Sequence, residues 1–225
     1  MSSKFTIASK TTELPLSSEL FVSHIPHIIL LLLLINYQKL IHLPFFQIHP
    51  LGKSPVVTVD DLVLAESGFI VDYLTNRWDR LRPPPSSPAA IQYQYLLHYT
   101  EASLMPPFVT GQVMQQIKKS PQIPFLIKPI ANMIVNGVYN NYLNSAYEAN
   151  LRFLETMLDG KEYFAGAFSG ADVLLSFPIM EAEKAKVKGF EKSRFPNLFA
   201  WMDRITVREG YRRAEARTKK YEQRD

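Results

Sequence analysis

The chain has 225 residues, with 25 Lys and Arg against 21 Asp and Glu, a formal charge of +4, and 47% apolar side chains. That is a globular balance, long enough for one large domain or two modest ones with their own cores, and too apolar for a disordered chain. There is no cysteine, which excludes disulfides, thiolate metal sites and a cysteine nucleophile.

In chain order, Ser3 to Ile7 reads as a short strand. Ala8 to Leu16 and Ser17-Ser18-Glu19-Leu20 follow, and then the apolar run Ile28 to Ile35. Residues 20–38 carry no formal charge but include Ser23, His24, Pro26, His27, Asn36 and Gln38, and the uninterrupted run is too short to cross a bilayer. A signal peptide fits poorly, because Glu13 and Glu19 precede the run and no small-residue cleavage site follows it. Three readings remain for residues 8–48. They are a buried helix or strand, an interfacial membrane anchor through residues 20–38, which is not favoured, or a stretch not shaped by selection for this fold, as from a mis-spliced exon.

Residues 49–78 organise the rest. Val56 to Val59 and Leu62 to Ala65 flank Asp60-Asp61, residues that suit a two-residue turn, so a β-hairpin is expected. Ile70, Tyr73, Leu74 and Trp78 then recur at helical spacing, with Glu66 and Ser67 in the first turn of the predicted helix. A proline opening a strand cannot donate to the ladder, and a cis Ser54-Pro55 bond turns the main chain of Ser54 toward an extended, peptide-like ligand. The helix start offers amides and a hydroxyl to a carboxylate, Glu66 can hold an ammonium group, and Lys53 can pair with a second carboxylate. The ordinary reading of the same residues is a structural hairpin in which Ser67 caps the helix, Glu66 is a solvated acid and Lys53 a solvated base.

The block Gly52-Lys53-Ser54-Pro55-Val56-Val57, followed by Leu64-Ala65-Glu66-Ser67-Gly68-Phe69-Ile70, closely resembles the glutathione-binding half of the cytosolic glutathione S-transferases, fungal type. The resemblance implies an α+β chain, with a thioredoxin-like N-terminal domain followed by an all-α C-terminal domain. It implies a cis proline, glutathione as co-substrate with no further cofactor or metal, and ligand contacts at Ser54, Pro55, Glu66 and Ser67, to which the charge pattern adds Lys53. It also implies a cytoplasmic homodimer, while the apolar segment at 20–38 gives peripheral attachment to an internal membrane as the alternative location. In that family the first strand is followed by a loop with a catalytic Ser, Tyr or Cys, a helix, and a strand parallel to the first. Residues 8–48 are atypical in this respect. The hydroxyls available there are Ser9, Thr11, Thr12, Ser17 and Ser18, none in a family motif, so the catalytic residue is unknown. Two functions therefore stand side by side: transfer of glutathione to small hydrophobic electrophiles, or a catalytically impaired binding or regulatory protein.

Arg82-Pro83-Pro84-Pro85-Ser86-Ser87-Pro88 breaks any helix. This places a thioredoxin-like domain at 1–82, a linker at 83–88 and a helical domain at 89–225. Helices are expected from Ala89 to about Ser103, over Phe108 to Lys119, and from about Pro129 to Leu158, where Gly160 stops the last of them. The stretch from His98 to Pro107 is similar to the cleft helix of fungal members of the family, which implies that Glu101 and Ser103 are polar cleft groups and that Met105 and Phe108 lie near an apolar co-substrate pocket. Tyr163 to Phe168 reads as a loop that delivers aromatics to the core. Ser169-Gly170-Ala171-Asp172 has the spacing of a capping box at the start of a central helix, Val173 to Lys186, and the family carries this box at the same place. Residues Phe195 to Ile205 then resemble the family's penultimate helix. The basic residues from Arg208 onward are mixed with Glu, as on a solvated helix, so nucleic acid is not expected as a partner.

Overall fold

The computed structural model describes residues 5–9, 12–16, 43–121 and 123–222. Strand β1 (Phe5–Ser9) pairs antiparallel with β2 (Thr12–Leu16) on one side and with β3 (Val56–Val59) on the other, and β3 pairs antiparallel with β4 (Leu62–Ala65), in the order β2-β1-β3-β4. Of the expected first strand, residues 5–7 lie in β1, which runs on to Ser9. The segment after it returns as β2, antiparallel to β1, rather than as the parallel strand that the family resemblance implies. The expected hairpin forms with Val59 opposite Leu62, and Asp60 takes the left-handed φ of 53° that such a turn demands. Val56, Val57 and Val59 are all buried, so β3 is covered on both faces, whereas Leu62 and Val63 on β4 are exposed. The apolar run at 28–35, the anchor reading at 20–38, and Thr11, Ser17 and Ser18 lie outside the described residues. Ser9 and Thr12 are strand residues paired in register.

A short helix α1 (Leu43–Ile48) precedes the hairpin, and α2 (Ser67–Arg77) follows it. The remaining elements are helical: α3 (Pro88–Tyr99), α4 (Met105–Lys119), α5 (Lys128–Val138), α6 (Asn144–Met157), α7 (Gly170–Lys184), α8 (Pro196–Thr206) and α9 (Glu209–Glu222). The expected break at Met105-Pro106-Pro107 is not an end. A π-helical turn over Thr100–Leu104 joins α3 to α4, and Pro106 and Pro107 follow it directly at the start of α4. A second π turn, Tyr139–Leu143, joins α5 to α6 in the same way. The architecture is an α+β N-terminal part of thioredoxin-like type followed by an all-helical C-terminal part.

The central helix α7 is buried along most of its length, and its start is held by Asp172, which is fully buried. The Asp172 carboxylate accepts the Ser169 amide at 2.9 Å, the Ser169 hydroxyl at 2.9 Å, the Phe164 amide at 3.1 Å and the Trp201 indole N–H at 3.0 Å. Its reach back to Ser169 is the expected capping-box bond, and the other donors tie the 163–168 loop and α8 to the same group. Burial pushes the Asp172 carboxyl upward, and the hydrogen bonds of Trp201, Phe164 and Ser169 oppose that.

The two parts meet along α2 and α7. The Gly170 amide donates to the Leu81 carbonyl at 2.8 Å. A Cβ at Gly170 would stand 2.8 Å from Val71 Cγ1 and 3.0 Å from both Thr75 Cγ2 and the Tyr93 hydroxyl, so only glycine allows this approach. Beside it Thr75 Oγ1 and the Tyr93 hydroxyl share a hydrogen bond of 2.7 Å, and burial raises the Tyr93 phenol to about 12. Arg82 closes the seam, pairing with Asp72 at 2.9 Å while its guanidinium lies over the Tyr93 ring.

Candidate functional site

Each residue of the hairpin motif is positioned by backbone geometry. The chain turns at His49–Gly52, where the Gly52 amide donates to the His49 carbonyl at 2.9 Å. Gly52 takes a φ of +57°, and a Cβ there would strike the Phe46 ring at 2.6 Å, so this turn requires glycine. It delivers Lys53 and Ser54 to the mouth of β3, and the Ser54-Pro55 bond is cis. Ser54 is 8% exposed, and its hydroxyl has no hydrogen-bond partner among the described residues.

At the other strand end, Glu66 occupies the N-cap position of α2 with φ 69° and ψ 119°, a sparsely populated conformation for a residue with a side chain. It makes no capping hydrogen bond with its side chain, and its carbonyl accepts the Ile70 amide at 2.9 Å. Ser67 is therefore the first helical residue rather than the cap that the ordinary reading supposed. The amides at the tip of α2 lie at the positive end of the helix dipole, and that of Gly68 is engaged by the Glu101 carboxyl.

These two chain segments line one cleft. His49, Leu51, Lys53, Ser54, Pro55, Ala65, Glu66 and Ser67 form one wall, and the helical part supplies Thr100, Glu101 and Met105 from the first π turn and the start of α4, with Leu174, Phe177 and Pro178 from α7. All five residues expected to contact the ligand from the N-terminal part are thus together, and Glu101 and Met105 join them from the far wall. Ser103 is exposed on its helix and does not line this cleft. Phe108 packs its ring 4.9 Å from that of Tyr147 and faces a second cleft of about 600 Å³ between α4, residues 139–147 and the end of α7.

Electrostatics distinguish Glu101. The protein around it raises its carboxyl above the usual range, mostly by desolvation, with the Glu66 charge adding to the effect and the Gly68 amide opposing it. Gly68 is near enough that a Cβ there would stand 3.4 Å from Glu101 Cγ. Two carboxylates from opposite halves of the chain therefore face one space beside the tip of α2, an arrangement suited to a ligand ammonium group.

Thr100, Leu174, Phe177 and Pro178 escaped sequence reading because tertiary packing, not local pattern, brings them to the cleft. Pro178 did carry a signal. A proline inside a helix withholds the amide that would bond the carbonyl of residue 174, and both Leu174 and Pro178 line the cleft.

Comparison with known proteins places this geometry. The family described as glutathione S-transferase, N-terminal domain, matches residues 38–76, the stretch that runs from before α1 to the last turn of α2. Glutathione S-transferase 1 of Saccharomyces cerevisiae is 33% identical over 175 residues, covering 73% of this chain and 74% of that protein. Glutathione S-transferase 3 of Schizosaccharomyces pombe is 29% identical, covering 73% of this chain and 67% of that protein. Among solved structures, a glutathione S-transferase from Actinobacillus pleuropneumoniae superposes with a TM-score of 0.56 at 27% identity, over 78% of this chain and 74% of its own. A relative that is 33% identical over about three quarters of each chain shows the family: the chain belongs to the glutathione S-transferases.

Proposed function

We propose that this protein binds glutathione in the cleft between the Ser54-Pro55 segment and the tip of α2, and joins its thiolate sulfur to small hydrophobic electrophiles. The observation that carries this reading is the convergence of Lys53, Ser54, Pro55, Glu66 and Ser67 with Glu101 and Met105 around a single opening. Ser67 and the positive tip of α2 take the α-carboxylate of the γ-glutamyl residue, Glu66 and Glu101 its ammonium group, and Lys53 the glycyl carboxylate. The main chain of Ser54 pairs with the cysteinyl unit. The enclosed part of the cleft is about 90 Å³, well under the roughly 300 Å³ of a drug-sized pocket. The tripeptide therefore lies along the opening with one side in solvent.

Chemistry follows from placement. The thiolate attacks the electrophile, a carbon–sulfur bond forms, and the leaving group departs with the bonding pair. Met105 and Phe177 offer the apolar wall against which the electrophile is held. The domain boundary falls at residues 83–88, and the protein works in the cytoplasm as a homodimer. Ile91 and Tyr95, exposed one turn apart on α3, supply an apolar face for the second copy.

Retention on immobilised glutathione tests the reading. Wild-type protein should be retained and eluted by free glutathione, and the Glu66→Ala, Ser67→Ala double variant should pass through. Failure of well-folded wild-type protein to bind would overturn the proposal.

A further inference from the structure

The connection between α4 and α5 exposes apolar side chains to an unusual degree. Phe125 is 77% exposed and Leu126 74%, and the exposure continues through Ile127, Ile130, Met133 and Ile134. On α5 the last three follow an i, i+3, i+4 spacing, so they share one helix face, and Ile127 extends that face by a turn. In this helix Val135 is buried, which leaves the opposite stripe as the larger apolar surface. A contiguous exposed patch of this kind marks an interaction surface.

Charge identifies what covers it. Residues 102–147 contain no Asp or Glu, and the formal charges among them are Lys118, Lys119 and Lys128, which bracket the apolar tip. None of the three forms an ion pair among the described residues. Pairing of the patch with itself in a second copy would gather like charges around a two-fold axis with no acid to answer them. An anionic lipid surface meets both demands at once, since acyl chains receive the apolar tip and headgroup phosphates receive the lysines. The attachment is peripheral, because no helix among the described residues is long and apolar enough to cross a membrane.

We propose that the α4–α5 tip, led by Phe125 and Leu126 and flanked by Lys118, Lys119 and Lys128, docks the protein on anionic membrane surfaces. The surface would bring the enzyme to electrophiles that partition into lipid. Docking does not depend on the glutathione reading, so it survives or fails separately.

Co-sedimentation of full-length protein with vesicles provides the test. Binding should be strong to phosphatidylcholine containing about 30 mol% phosphatidylserine, weak to phosphatidylcholine alone, and should fall in about 0.5 M salt. Phe125→Asp with Leu126→Asp should reduce vesicle binding about tenfold or more, with an unchanged melting curve because both side chains point into solvent. Lys118→Ser, Lys119→Ser and Lys128→Ser together should remove the phosphatidylserine dependence. Leu32→Asp, in the apolar run near the N-terminus, should leave binding intact. Absence of binding to the anionic vesicles would overturn the proposal. So would full binding by the Phe125, Leu126 variant, loss of binding through Leu32→Asp alone, or a drop in the oligomeric mass of the Phe125, Leu126 variant, which would make the tip a contact between copies.

Discussion

Glu66 and Glu101 present like charges to one cleft from opposite halves of the chain, and the Glu101 carboxyl is raised first by desolvation and then by the Glu66 charge. A carboxyl held above its unfolded value of 4.5 destabilises the fold once pH passes that value, and the penalty grows until pH passes the folded value. Glu101→Gln should therefore raise the melting temperature at pH 7, and the gain should disappear below about pH 4. Because Glu101 keeps a solvent-exposed edge, the gain should be small. If the pair holds the ligand ammonium group, the same variant should weaken retention on immobilised glutathione. A variant that is more stable yet binds less well distinguishes a site residue from a surface acid.

Asp172 makes the opposite case. Its removal leaves the Trp201 indole N–H and the amides of Phe164 and Ser169 buried without their acceptor. Asp172→Ala should cost about 3–5 kcal/mol in urea unfolding, the range for breaking a buried charged network. Trp201→Phe, which loses one donor and keeps the ring packed on Phe164, should cost about 1–3 kcal/mol.

Gly170 can be tested by volume alone. A valine there would drive its Cβ against Val71 and Thr75 and spread α2 from α7, destabilising the fold by about 1–3 kcal/mol or more. Since α2 also carries Glu66 and Ser67, the melting temperature and glutathione retention should fall together.

Ser54 should behave differently from its neighbours. Its hydroxyl is buried without a partner, so Ser54→Ala removes an unsatisfied group and should leave stability unchanged or raise it by up to about 1 kcal/mol, read by thermal melting. A large loss of stability would show that the hydroxyl has a partner in solution.

How much of this could be read from the residues follows the range of the forces involved. The hairpin, its Asp60 turn, the helix from Ser67, the glycine stop at Gly160 and the box at Ser169 and Asp172 are written in neighbours a few positions apart, and all of them form. The π turns at Thr100–Leu104 and Tyr139–Leu143 left no local mark that tells them from a break or from a continuing helix. In the cleft, the near wall was legible because family pattern and backbone geometry coincide in one short stretch. The far wall was only partly so. Glu101 and Met105 were expected, but Ser103 and Phe108 point elsewhere and Leu174 and Phe177 arrive by packing between helices. Residues 8–48 departed from family pattern, and the strand found there runs opposite to the expected direction.

The seam at Gly170 bears on how a ligand enters. With its amide bonded to the Leu81 carbonyl and Arg82 clasped to Asp72 immediately before the proline run, the two halves are tied at the base of the cleft. Swinging one wall away from the other would first have to break these two contacts. A ligand that leaves them intact approaches from the solvent side of the cleft, where Lys53 and Glu66 stand.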